Sequence, residues 1–236
     1  MSNKSLFYLV IILTLLGLSA CRDASEHRIE LILKPSIDGQ LLDCKQDISW
    51  VNAQWQIHSL ALYASQISIN GELVKPLALL RCGEALVLNY DKQTKPLHLE
   101  FTLGVPFSQN HANPLLAEPP LNEPDMFWVW RNGYKFLRLD MQSASDSFQF
   151  HLGSAACDSA APVRAPKAAC KQPNRVKVSL NSDQVNPPQQ VLRFDLNALL
   201  TGLAPTQENT CMFSGNTQDS CATLLNNLSS AKVFSL

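Results

Sequence analysis

From Ile29 onward, the apolar residues of this 236-residue chain recur at every second position. Ile29, Leu31 and Leu33 open the series, and Trp55, Ile57, Ala61, Tyr63, Ile67 and Ile69 share one parity. Leu97, Leu99, Phe101 and Leu103 repeat it, as do Phe148, Phe150 and Leu152, and then Val176, Val178 and Leu180. A period of two sends those side chains to one face of a strand and their neighbours to the other, which a helix cannot do. Turns are expected at Ser36 to Gly39 and at Asn70-Gly71, and further short strands at Leu77 to Leu80 and Leu86 to Tyr90. Only Asp195 to Leu200 and Cys221 to Leu228 read as short helices or turns. Many short strands separated by Pro- and Asn-containing turns predict an all-β, sandwich-like single domain with long loops. There is no internal repeat. The Ala/Pro-rich stretch 160–169 lies between two cysteines that we expect to be bridged, so it is not read as a linker.

The chain carries 19 basic and 20 acidic residues, a formal net charge of −1, with no basic stripe. That excludes the electrostatic footprint of a nucleic-acid binder. Seven cysteines cannot all pair within one chain. The N-terminus accounts for the odd one. Lys4 precedes an apolar run from Leu6 to Leu18, too short at about 20 Å to span a bilayer as a helix, and the run ends in Leu18-Ser19-Ala20-Cys21. This pattern resembles a bacterial lipobox, so residues 1–20 are expected to be a lipoprotein signal peptide and Cys21 the lipidated N-terminus of the mature chain. Residues 21–28 would be a tether and 29–236 the folded domain. Arg22, in place of the Asp that retains many lipoproteins at the inner membrane, favours the periplasmic side of the outer membrane. In an exported chain, the six remaining cysteines read as disulfides. Fifteen pairings are open, and nearest neighbours are favoured: Cys44–Cys82, Cys157–Cys170 and Cys211–Cys221. A thiolate metal site is disfavoured because no C-x-x-C spacing is present.

The segment from Phe101 to Ser154 carries an ordered series of motifs: Phe101-Thr-Leu-Gly104-Val-Pro106-Phe107, Asn110-His111, Pro119-Pro120-Leu121-Asn122, Met126-Phe-Trp128-Val-Trp130, Gly133-Tyr134-Lys135-Phe136-Leu137-Arg138 and Phe150-His151-Leu152-Gly153-Ser154. Cys170-Lys-Gln-Pro173-Asn174-Arg175 and Cys211-Met212 follow. In this order, over about Leu60 to Cys221, the chain resembles the MbnP family, the four-Cys proteins of the metallo-mystery pair. The family cysteines map onto Cys157, Cys170, Cys211 and Cys221, leaving Cys44 and Cys82 as an additional pair. The resemblance implies a periplasmic or surface copper binder in which a di-haem, peroxidase-like partner, MbnH, oxidises a tryptophan to kynurenine. Copper binding would depend on that modification. Arg131 after the second Trp, where many relatives carry Gln, is a departure from the pattern that touches no expected ligand.

Opening an indole to kynurenine yields an aryl amine and a ketone, whereas intact indole offers only an N–H donor. Trp128 and Trp130, two apart, would share a face if their segment is a strand. Either is a candidate for the modified residue, with Trp130 preferred because it lies nearer the Gly133-Tyr134 turn. Read without the resemblance, both are core aromatics. Imidazole suits copper. His151 alternates against Phe150 and Leu152, and His111 sits in an irregular Asn/Pro-rich loop, so these two are the expected copper ligands. His58 is a weaker third candidate. His98 reads as solvent-facing and His27 as part of the tether. Arg138 and Asp140, two apart, are expected to brace the site. With no phosphate-binding Gly loop and no G-x-S-x-G elbow, the chain is read as a substrate rather than an enzyme. The competing reading is a disulfide-braced surface lipoprotein that binds a protein or a glycan without metal.

Overall fold

The computed structural model describes residues 26–213, 219–230 and 232–236. The expected signal peptide, Cys21 and the first part of the tether lie outside the described residues.

The strand marked by the Trp55 series is the hub of the fold. β1 (Glu26–Ile37), β2 (Gln40–Leu41) and β3 (Ile48–Trp50) lead into this hub, β4 (Ala53–Ile69), which is followed by β5 (Glu72–Arg81), β6 (Ala85–Asp91) and β7 (His98–Leu103). A short helix α1 (Phe107–Asn110) and 3-10 turns at Pro114–Leu116 and Pro124–Met126 then precede β8 (Leu137–Ser143), β9 (Ser147–Leu152) and β10 (Val176–Asn181). The remaining elements are β11 (Gln189–Asp195), α2 (Leu196–Leu199), β12 (Cys211–Met212), α3 (Asp219–Leu228) and β13 (Phe234–Ser235). The 17-residue β4 pairs with β3, β5, β7 and β8. These strands belong to an eight-stranded sheet whose main path runs β10-β7-β4-β8-β9-β12. A five-stranded sheet runs β13-β11-β1-β2, with β6 also on β1. One continuous core joins the two sheets, with Phe101 of the larger edge-on to Phe234 of the smaller at 5.9 Å. The fold is all-β and a single domain, as the alternation implies.

The Asn70-Gly71 turn forms as expected, with φ of +53° and +86°, the left-handed pair that a tight two-residue hairpin requires. Asp195 caps α2 by accepting the Ala198 N–H at 2.9 Å. The single parity expected along β4 does not hold. Its ladder shifts between Ile57 and Ser59 and again between Ser65 and Ser68, where Gln66 has φ +55°. Each bulge transfers the following side chains to the opposite face, and from Leu60 to Ser65 both faces of the strand are covered, so Leu60, Leu62 and Ala64 are as buried as Ala61 and Tyr63.

The tether is shorter than expected. β1 begins at Glu26 because Glu26 to Ile32 pair with β6. His27, expected to be free, packs edge-on against Tyr90 at 5.2 Å and bonds to the Pro187 carbonyl. Three disulfides join neighbours in sequence: Cys44–Cys82, Cys157–Cys170 and Cys211–Cys221. Cys211–Cys221 ties α3 to β12. Cys157–Cys170 closes the base of a long loop between β9 and β10.

Candidate functional site

Trp128 and Trp130 do not lie on a strand. Phe127 and Tyr134 form an isolated antiparallel bridge, and between them the chain turns on the Val129 carbonyl, which accepts from Asn132 N–H at 2.9 Å and Gly133 N–H at 2.8 Å. Gly133 sits at φ +74°, and a Cβ there would collide with the Asn110 side chain. The turn therefore depends on glycine for both conformation and space. Because the segment turns, the two indoles have different surroundings. Trp128 lies over Gly153, where a Cβ would strike its six-membered ring, and its ring centroid is 6.5 Å from that of His151. Trp130 faces His111.

The contact between Trp130 and His111 is reciprocal. The indole Nε1–H donates to the His111 carbonyl at 2.8 Å, and the Trp130 carbonyl accepts from His111 Nδ1 at 3.1 Å. A carbonyl can only accept, so the Nδ1 proton is fixed and the lone pair of the neutral ring is on Nε2. Burial pushes His111 below the ordinary histidine pKa, against the hydrogen bond to the Trp130 carbonyl. The ring is thus neutral near pH 7, the form that binds metals. Nε2 accepts from Asn110 Nδ2 at 3.0 Å and lies 3.5 Å from Cys170 Sγ. Asn110, fully buried, also accepts the Tyr134 N–H at 2.8 Å and reaches Ser154 Oγ at 3.3 Å, so one side chain joins α1 to the Trp turn and to the end of β9. Asn110 stands in the sequence only as the neighbour of His111 in the Asn110-His111 motif. Its partners are 24 and 44 residues away, and only its position next to His111 hinted at a role.

His151 is placed by β9 opposite Arg138 of β8. Its Nε2 is 2.6 Å from Asp140 Oδ1, and the other Asp140 oxygen accepts from Arg138 Nε at 2.6 Å. Arg138 continues to Asp125, and Asp125 to Arg81, which also pairs with Glu123. Burial alone would raise Asp140, but the hydrogen bond and charge of His151, with Arg138, outweigh it and hold the carboxyl below its ordinary value. The carboxylate thus fixes His151 through Nε2 and leaves Nδ1 buried with no hydrogen-bond partner. A carboxylate holding one ring nitrogen while the other is free is the usual arrangement behind a metal-ligating histidine. The brace expected from Arg138 and Asp140 is present.

The expected ligands do not assemble as one set. Among the described residues, His111 groups with Cys157 and Cys170, their donor atoms all within 4.8 Å of one another, and no group of three or more donors includes His151. His58 is exposed at the first β4 bulge and joins no such group. His98, at the strand surface, bonds to Asn181 Oδ1 at 2.8 Å. Trp55 is buried in the core and Trp50 packs against it. Beside Trp130 an open cleft of about 940 Å³ is bordered by the 157–170 loop, with Val163, Arg164 and Lys167 among its walls. The Arg131 N–H bonds to the Pro162 carbonyl at 3.0 Å and ties that loop to the Trp turn.

Two buried imidazoles beside two tryptophans, one with an unpartnered Nδ1 and the other with an Nε2 lone pair held only by an amide, fit a soft or borderline metal. Among solved structures, MbnP from Methylosinus trichosporium superposes with a TM-score of 0.67 at 17% sequence identity, covering 84% of this chain and 87% of that one. At that identity the likeness establishes the fold. No curated protein matches the chain. The MbnP family model matches residues 26–213, so the segment before Leu60 is covered as well as the motif-rich region after it. The chain belongs to the MbnP family.

Proposed function

We propose that this protein is a lipid-anchored copper binder of the periplasm, held at the outer membrane through Cys21, whose Trp130 is oxidised to kynurenine by a di-haem, peroxidase-like partner. The chain is then the substrate of that oxidation, and copper is its cargo, captured for storage or delivery. The observation that carries this reading is the reciprocal pair of hydrogen bonds between Trp130 and His111 at the edge of an open cleft. The pair holds an oxidisable indole, accessible to an external oxidant, against an imidazole whose tautomer is already set. Cleavage of the pyrrole C2–C3 bond by two peroxides, with loss of C2 as formate and release of one water, leaves an aryl amine and a ketone where only an N–H donor stood. His111, bonded to Trp130 by both hydrogen bonds, would supply one imidazole, and His151, whose ring lies 6.5 Å from that of Trp128, would supply a second. Copper, once bound, would be held by borderline nitrogen and oxygen donors that stabilise either of its common oxidation states.

Peptide mass spectrometry on protein matured beside its genomic partner tests the reading. Kynurenine gains one oxygen and loses one carbon relative to Trp, about 4 Da, and fragmentation assigns the gain to Trp130. The same gain on Trp128 would keep the reaction class and move the site toward His151. An unmodified Trp128–Trp130 peptide in the presence of an active partner would remove the proposal. Copper retention should fall in His111→Ala. The anchor is checked separately, since Cys21→Ala should release the protein from the membrane fraction.

A further inference from the structure

His111 Nε2 points at a sulfur that, in the closed bridge, has no proton to give. Nδ1 is committed to the Trp130 carbonyl, so Nε2 presents a lone pair at 3.5 Å from Cys170 Sγ. A disulfide sulfur is a weak donor, and the ligand form of cysteine is the thiolate. Opening the bridge changes both properties together. It would create two thiols, able to bind a metal as thiolates, beside an imidazole lone pair, with all three donor atoms already within 4.8 Å. Cys170 is buried, while Cys157 is only partly so and adjoins the loop that borders the Trp130 cleft. A dithiol can therefore approach the Cys157 sulfur and displace Cys170. The Cys211–Cys221 pair is fully buried between β12 and α3, and among the described residues neither of those cysteines belongs to a group of donors.

We propose that Cys157–Cys170 is a redox gate over a second mode of metal binding, in which His111, Cys157 and Cys170 form a three-coordinate site for a soft monovalent cation, Cu(I). A dithiol reductant delivers two electrons and two protons to the S–S bond and becomes a disulfide. Cu(I) then binds the two thiols with release of their two protons and coordinates Nε2, giving a site with one net negative charge. The donor count favours this ion. Zinc in closed sites takes four ligands, whereas thiolate-rich sites select Cu(I). Asn110 Nδ2 gives up its hydrogen bond to Nε2 when the cation arrives and keeps Ser154 as a partner. The site shares His111 with the copper reading above but needs no tryptophan oxidation, so it is tested on protein made without any oxidising partner.

The full chain is treated anaerobically with dithiothreitol, opened bridges are identified by alkylation and peptide mapping, and Cu(I) is titrated against a chromophoric chelator. Opening Cys157–Cys170 should add one equivalent of Cu(I) with thiolate-to-copper absorption in the ultraviolet. The Cys157→Ser/Cys170→Ser variant should lose that equivalent, and His111→Gln should weaken it by about tenfold or more. X-ray absorption of the reduced wild type should give two sulfurs and one nitrogen, a readout that holds even where the double variant folds poorly. No added equivalent, an added equivalent that persists in the double variant, a copper shell without nitrogen, or loss of the folded circular-dichroism spectrum on opening this bridge would each overturn the gate.

Discussion

A single missing Cβ decides where Trp128 sits. A methyl at Gly153 would enter the indole and come within 2.9 Å of the Tyr134 carbonyl, neither of which is a flexible side-chain tip. Gly153→Ala is therefore expected to cost about 1 to 3 kcal/mol by overpacking, read by urea denaturation, and to shift tryptophan fluorescence as the ring is displaced. An unchanged spectrum would mean that the indole does not rest there. Asn110→Ala acts through hydrogen bonds instead. It leaves the buried Tyr134 N–H without its acceptor and His111 Nε2 without its donor, for an expected loss of about 1 to 3 kcal/mol, measured the same way. At this scale the sequence was informative about chemistry and poor about partners. His111, His151, Trp128 and Trp130 are conspicuous by residue type and motif. Asn110 acquires its role only from Tyr134 and Ser154, which local spacing does not bring near it.

Between elements, a line of alternating charge runs from Arg81 of β5 through Asp125 and Arg138 to Asp140, whose second oxygen meets His151 of β9. The part within β8 could be read in advance, since Arg138 and Asp140 are two apart on a strand. The links to Arg81 and Asp125 could not, because they depend on how the loop before the Trp turn folds back over β5. The hydrogen bond from Arg81 is the largest influence on Asp125 and holds its carboxyl below the ordinary value, and Asp140 is lowered as well. A carboxyl with a lower pKa folded than unfolded stabilises the fold above its unfolded pKa, and that contribution fades as the pH falls through the folded value. The urea midpoint should thus hold from about neutral down to pH 5 and decline below about pH 4. Asp125→Asn should flatten the decline, modestly, because Asp125 is 39% exposed and its pairs are screened by solvent. An identical acid profile in wild type and variant would show that the line of charge does not contribute to acid sensitivity. The Trp turn is the element the sequence misjudged. Alternating aromatics at Trp128 and Trp130 imitate a strand, but Gly133 at positive φ closes a turn on Val129 that no hydrophobic pattern encodes.

Across the whole molecule, the fold class was legible and the wiring was not. Alternation identifies strands without saying which ones meet, and β1 pairs in parallel with β11, about 160 residues later, from Glu30↔Gln189 to Ser36↔Asp195. Such long-range pairing is set by the competition among all strand edges. Cross-links restrict that competition. Cys44–Cys82, separated by 38 residues, encloses β3, β4 and β5, including the hub strand. Closing a loop of that length in the unfolded chain is worth up to about 4 kcal/mol in the chain-entropy account, with measured values for such bridges of about 2 to 4. The Cys44→Ser/Cys82→Ser pair should lower stability within that range, read by urea denaturation with a steeper slope, because the unfolded chain without the bridge is more expanded. It should leave the proposed copper binding and Trp130 oxidation intact, because among the described residues neither cysteine belongs to the donor group of His111. A loss of copper binding in a variant that remains folded would mean that the bridge shapes the site through β5, whose terminal Arg81 adjoins Cys82 and anchors Asp125.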